Sequence, residues 1–317
     1  MTTIPPRFTS IHHTLASWLQ QEDYQPACIL ILVPRVYRRF KQRSHNETAT
    51  EMVTTASLLE SSIREQAPAL AEHLDSGRVR IVPVDADLGP ITKLTGLLQH
   101  RATACTPHLV HRPIDFWVFG DDDVAYTPQT LRRYDLRMLL PPPGLSPASL
   151  SRTALTHFSE DARMVVQLSP QENPQRVRHV QGVDTVLLPT ALLDLQIAQR
   201  RALHPTVCVQ LLELAIFPAC PDAFFQDDYV ISLLLHLAGI DVVSAWNNDH
   251  VAKHVKDVSK SNSQLHMKAN VYEREEATKA CLTREAADIY SLSKKLAASG
   301  GGLGLGLKLA ASGGGEL

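Results

Sequence analysis

The stretch "IDFWVFGDDD", Ile114–Asp123, constrains this chain most. An isoleucine and an acid lead into four apolar residues, then a glycine, then three adjacent aspartates. A short continuous apolar run reads as a strand buried on both faces, so it needs neighbours beside it and layers above and below. Three adjacent carboxylates repel one another unless something positive sits among them. The chain therefore needs a central strand whose carboxyl end meets a positive group.

Two similar runs precede it. "ACILILVP", Ala27–Pro34, and "RVRIVPVD", Arg78–Asp85, read as strands. Helical stretches lie between them: one starting at Ser10 as N-cap, one over Thr55–Leu74 broken before Pro68, and one over Gly89–His100. Strands alternating with helices predict an α/β fold with a mostly parallel sheet covered on both sides. Past Pro128 the pattern is less regular. "PPPGLSP" is a stiff loop, while "ARMVVQLSP" and "VDTVLLPTALL" read as strands or as a strand running into a helix. "DDYVISLLLHLAGI", Asp227–Ile240, predicts a helix with acids at its N-terminus and Gly239 as C-cap. From Leu282 a surface helix is expected. "KLAASGGG" occurs twice, and residues 293–317 read as a disordered tail, since glycine, serine and alanine bury too little to offset their ordering entropy.

Composition removes several classes. A chain of 317 residues with 44% apolar content can bury a large core. The net charge of −2 shows no basic surface for nucleic acid, and there is no apolar run long enough for a membrane segment. Five scattered cysteines without CxxC spacing lead us to expect neither a disulfide framework nor a zinc knuckle. The sequon at Asn46 is weak by itself. No P-loop, nucleophile elbow, HExxH or kinase signature is present, so the chemistry rests on acids.

Asp121, Asp122 and Asp123 read as a divalent metal site. Mg²⁺ and Mn²⁺ prefer carboxylate oxygen, and in a D-x-D spacing on an extended turn the outer carboxylates, Asp121 and Asp123, point the same way. The bland alternative is an acidic surface loop or a cap for the residues that follow. Asp227 and Asp228 form a second cluster about a hundred residues downstream. Either they simply complement a helix dipole, or they supply a base or a ligand; the sequence leaves both open. "DADLGPITKL", Asp85–Leu94, is a strand-to-helix junction where free amides and Lys93 offer a phosphate site. Arg7 and the basic run "RVYRRF" are further candidates, and His250, His254 and His266 are possible ligands.

In order along the chain, "TIPPRFTSIHHTLASWLQQ", "ILILVPRVYRRF", "DADLGPITKLTGLL", "FGDDDVAYTPQTL" and "FFQDDYVISLLLHLAGI" resemble blocks of small glycosyltransferases of the GT-A fold, which use nucleotide-diphospho-sugars. The likeness covers roughly residues 2–240. It implies a single domain over 1–292 with a Rossmann-like sheet, a nucleotide-sugar half over about 1–126 and an acceptor half over about 127–292. It implies a metal-dependent, inverting hexosyltransferase-type enzyme. Asp121 and Asp123 match the acids that hold Mn²⁺ or Mg²⁺ against the donor diphosphate, and Arg7, Asp87, Lys93 and Asp122 fall on the donor side. Asp228 matches the base that deprotonates an acceptor hydroxyl, and Asp227 is its partner. The acceptor would be a glycan, a glycolipid or a protein hydroxyl. Relatives usually carry a Gly-rich segment with a basic pair where this chain has "VQGVDTVLLPTALL", and only Gln181 and Gly182 match it. The first block begins almost at Met1, so an upstream membrane anchor is an expectation. The chain as written reads as soluble, in the cytoplasm or, with such an anchor, in the Golgi or ER lumen. The rival expectations are a metal-dependent phosphohydrolase using both acidic clusters and a non-catalytic carbohydrate- or calcium-binding relative.

Overall fold

A computed structural model describes Met1, Thr3 and residues 7–22, 26–35, 37–40, 48–51, 55–85, 88–105, 114–122, 124–126, 128, 131, 153–156, 159–180, 186–244, 252–254 and 264–299. Asp87, Asp123, Asn46, "PPPGLSP", Gln181, Gly182 and His250 lie outside these residues, and the side chains of His254 and His266 are likewise not described.

The first half alternates as expected. Helix α1 (Ile11–Leu19) precedes β1 (Ile29–Pro34), and the short strands β2 (Tyr37–Phe40) and β3 (Thr48–Glu51) pair antiparallel. Helix α2 (Thr55–Gln66) stops at Ala67, and a 3₁₀ turn over Pro68–Leu70 leads into α3 (Ala71–Asp75). The break falls where proline lacks an amide hydrogen and crowds the residue before it. Strand β4 (Val79–Val84) pairs parallel with β1, from Ile29 opposite Val79 to Pro34 opposite Val84. A 3₁₀ turn at Gly89–Ile91 opens α4 (Thr92–Ala104), and β5 (Phe116–Phe119) and β6 (Val124–Tyr126) flank the aspartates.

The second half supplies β7 (Thr153–Thr156), β8 (Ser159–Val166), β9 (Gln175–Val180) and β10 (Val186–Pro189), then helix α5 (Thr190–Ala198). Helix α6 (Pro205–Leu211), a π-helical stretch over Leu212–Ile216 and α7 (Phe217–Ala219) follow. A 3₁₀ segment, Pro221–Phe225, feeds α8 (Asp227–Leu237). Strands β11 (Asp241–Ser244) and β12 (Ala252–His254) and helix α9 (Gln264–Ala298) complete the order.

The molecule is α/β, and its sheets are small and mixed. Strand β10 runs antiparallel to both β5 and β7, while β11 runs parallel to β7. The expected mostly parallel sheet is therefore found only in pairs among the described residues. Apolar runs such as "VLLP" report burial on two faces and are blind to strand direction.

Period-2 alternation divides the core between the two faces of the strands. In β1, Ile29, Ile31 and Val33 face a cluster with Ile11, Leu15 and Trp18, while Leu30 faces the opposite cluster with Leu94 and Leu98. In β10, Leu187 joins the first cluster, and Val186 and Leu188 join the second. Each such fully buried aliphatic side chain contributes about 1.5–3 kcal/mol. Helix α4 lies very close to β1: a Cβ on Gly96 would sit 2.6 Å from Leu32 Cδ1, so any larger residue there would require the Leu32 side chain to shift.

Two expectations are corrected. Helix α9 is not confined to the surface: Leu282, Ala286, Ile289 and Leu296 recur on one face and are at most 1% exposed. The helix also runs past Ser293 to Ala298, so the packed part of the chain extends beyond the expected tail boundary. Alternating charge with alanine had hidden that narrow apolar stripe. Secondly, the cysteines do pair, as Cys28–Cys105 and Cys220–Cys281, leaving Cys208 free and buried. Separations of 77 and 61 residues carry no local motif, so the pairing emerges only from the fold. No helix among the described residues is long and apolar enough to cross a membrane.

Candidate active site

Strand β5 ends at Phe119, and the chain turns through Gly120 into the acids. Asp121 and Asp122 leave this turn toward opposite partners. Asp121 Oδ1 accepts a hydrogen bond of 2.5 Å from Lys93 Nζ, in the first turn of α4. The same nitrogen lies 2.7 Å from Asp227 Oδ2, at the start of α8. That second contact is an ion pair, made to a buried carboxylate oxygen. One lysine thus joins acids that are about a hundred residues apart in sequence.

Lys93 is 4% exposed. Burial alone pushes an ammonium toward neutrality. Here Asp227, Asp121 and Asp228 outweigh it and hold Lys93 well above its ordinary value. Asp228 is partly exposed and close enough to contribute to that field. Its carbonyl accepts from Ser232 Oγ at 2.6 Å, and Ser232 Oγ in turn accepts from the Val180 amide at 2.9 Å. The first turn of α8 is thereby tied to β9. The acids also favourably meet the positive end of the α8 dipole.

Glycine at position 89 fixes how α4 and α8 meet. Its φ is +69°, and a Cβ there would stand 2.6 Å from the Phe224 carbonyl oxygen, on the segment that feeds α8. Only glycine accommodates both the left-handed backbone and that approach. The Leu88 amide donates to Thr92 Oγ1 at 3.3 Å, which closes the turn and points Lys93 at the acids. Sequence reading flagged the Gly-Pro turn for phosphate and missed its contact with Phe224, which no local pattern encodes.

Asp122 faces the other way. Its side chain is 4% exposed, and Oδ1 accepts a 2.5 Å bond from Arg7 Nη1. Its backbone carbonyl accepts from Thr14 Oγ1 at 2.8 Å, so α1 is fastened to the acid turn. Thr14, fully buried, carried no signal in the sequence. Arg7 and Asp122, both expected on the donor side, pair with each other. Lys93, Asp121 and Asp227 meet at one point with Asp228 beside them, while Asp87 and Asp123 lie outside the described residues.

A cavity of about 560 Å³ lies between β1 and β5, lined by Leu30, Leu32, Leu97, Trp117 and Lys93 among others. Its walls are more apolar than polar, and Lys93 and Gly120 are the lining residues next to the acids. The charged groups mark the chemistry better than this space does. Among the described residues no group of three or more His, Cys, Asp or Glu side chains is arranged to hold a metal. Family models give no match to this chain, and a search of curated proteins finds no relative.

Proposed function

We propose that this chain is a metal-dependent glycosyltransferase of the GT-A type, moving a sugar from a nucleoside-diphosphate donor to a hydroxyl acceptor with inversion. The observation that carries this reading is the meeting of Asp121 and Asp227 on Lys93 at the carboxyl end of β5. Ligands in α/β folds bind beyond the carboxyl ends of strands, where the two acidic blocks of this chain converge.

The residues fit the implied ion. Asp121 offers hard carboxylate oxygen, its side chain is 26% exposed, and Asp123 follows two positions later. Those two acids would hold Mn²⁺ or Mg²⁺, which would supply positive charge against a departing diphosphate. The protein's own groups do the rest. Lys93 holds Asp121 and Asp227 together and offsets part of their charge. Asp228 accepts the proton of the acceptor hydroxyl as general base, a role typically worth about 10²–10⁴ in rate. Arg7 and Asp122 hold the acid turn against α1. Folding in an oxidising compartment belongs to this reading, because both disulfides need one to persist.

The convergence of two acidic clusters also favours a second reading, a metal-dependent phosphohydrolase acting on small phosphate esters. One screen separates them. Nucleotide-sugars are incubated with Mn²⁺ and hydroxyl acceptors, and released nucleoside diphosphate is measured. The proposal expects acceptor-dependent release that Asp228→Asn removes while donor affinity is kept. Phosphate release independent of any acceptor would transfer the assignment to the hydrolase, and the absence of both would overturn each.

A further inference from the structure

We propose that Cys281 is a thiol–disulfide exchange site, attacked by a small dithiol, whose opening loosens the acid site. The inference goes beyond the activity proposed above and does not depend on it.

The Cys220–Cys281 bond has two unlike ends. Cys220 is 2% exposed, whereas Cys281 is only partly buried. The Cys28–Cys105 bond shares this asymmetry, with Cys105 1% exposed and Cys28 partly buried, so what sets Cys281 apart is the cation beside it. An attacking thiolate approaches along an accessible path, so it reaches the Cys281 sulfur first. Arg284 Nη2 stands 3.5 Å from that sulfur, on a side chain that is 68% exposed and whose Nε pairs with Glu285 Oε1 at 2.7 Å, leaving Nη2 turned to the sulfur. A guanidinium there attracts the incoming anion and stabilises Cys281 when it is later released as a thiolate. The Cys28–Cys105 bond has no such cation contact among the described residues.

The step balances. The dithiol's thiolate bonds to Cys281 Sγ, the Cys220–Cys281 bond breaks, and Cys220 leaves as thiolate and takes up a proton. The second thiolate of the reagent then attacks its own sulfur in the mixed disulfide and releases Cys281. The protein gains two electrons and two protons, and the reagent ends as a cyclic disulfide.

The consequence for the site follows from connectivity. Cys220 ends the helical stretch before Pro221–Phe225, and successive amides tie that segment together: Ala223 to the Cys220 carbonyl at 3.0 Å, Gln226 to the Ala223 carbonyl at 3.2 Å. Phe224 bears directly on Gly89, four residues before Lys93, and Asp227 follows Gln226. Both members of the Lys93–Asp227 pair therefore lean on a segment that Cys281 clasps to α9.

The test uses dithiothreitol under argon at mildly alkaline pH on wild type and Arg284→Gln. Free thiols are alkylated over time and assigned by mass spectrometry, and hydrogen exchange is followed before and after opening. Cys220–Cys281 should open several-fold faster than Cys28–Cys105, and Arg284→Gln should slow it without changing the other bond. Opening should speed exchange at 222–230 and 89–94 by at least about tenfold while β1 and β4 keep their protection. Equal opening rates, indifference to Arg284→Gln, or exchange that rises uniformly or only in α9 would each overturn the proposal. None of these readouts requires transferase activity, so failure of the functional reading would leave them intact.

Discussion

Asp121 and Asp122 are neighbours in the chain and opposites in the fold. In the Asp122 pair the acid is the buried member, 4% exposed against 39% for Arg7. In the Asp121 pair the base is buried, at 5% against 26% for the acid. The difference shows what each pair can do. Asp122 is committed to holding α1 against the acid turn, whereas Asp121 keeps a solvent-facing side with which to meet a ligand. It also shows which partner is indispensable: a buried charge left alone destabilises far more than an exposed one.

The comparison can be broken first at Lys93. Replacing it with methionine strands Asp227 and Asp121 together, and we expect about 3–5 kcal/mol less unfolding free energy in urea. Arg7→Met removes the partner of Asp122, and about 2–3 kcal/mol is expected. A Lys93 variant as stable as wild type would mean the two acid blocks do not depend on it.

A comparison of two glycines sharpens the geometric side. Gly89→Ala meets both a left-handed φ and the Phe224 carbonyl, and should cost about 2–3 kcal/mol with loss of the site's alignment. Gly239 also has a left-handed φ, +70°, but among the described residues a Cβ there would come no nearer than 3.8 Å, to Arg201 Nη1, so Gly239→Ala should cost only about 1 kcal/mol. Equal costs would remove the close approach from the account.

The pH dependence is a subtler effect. Lys93 is held above its ordinary 10.5, so the folded chain binds that proton more tightly than the unfolded chain. Its contribution is complete below 10.5 and falls as pH rises beyond it. Urea titrations on either side of that value should show this decline in wild type and less of it in Lys93→Met. The smallest effect is expected for deletion of residues 300–317, whose Gly-rich composition predicts an unchanged melting temperature.

Much of the fold was legible in the sequence, because burial and chain breaks are local. The runs at β1, β4 and β5, the break before Pro68 and the glycine cap of α8 all follow from side-chain pattern and backbone chemistry. At that cap the Gly239 amide donates to the His236 carbonyl and the Ile240 amide to the Leu235 carbonyl. What could not be read was relational. The antiparallel course of β10, the cysteine pairing and the seat of Phe224 on Gly89 depend on where distant segments meet. The acids at 121 and 227 were visible as chemistry, but Lys93 was read as a phosphate ligand. Its bridging of both acids needs the α4–α8 crossing, which no spacing encodes. Asp122 could not be told from Asp121 by type, since only the turn after Gly120 separates their directions.

The central claim is that Asp121 serves a ligand and Asp122 serves the scaffold. Calorimetric titration with UDP and GDP, with and without Mn²⁺, on wild type, Asp121→Asn and Asp122→Asn tests it most directly, beside the melting temperature of each. The account predicts Mn²⁺-dependent nucleotide binding in wild type. It predicts that this binding is lost in Asp121→Asn with the melting temperature nearly kept, and a lowered melting temperature in Asp122→Asn. Nucleotide binding that is indifferent to Mn²⁺ and to Asp121→Asn would contradict it.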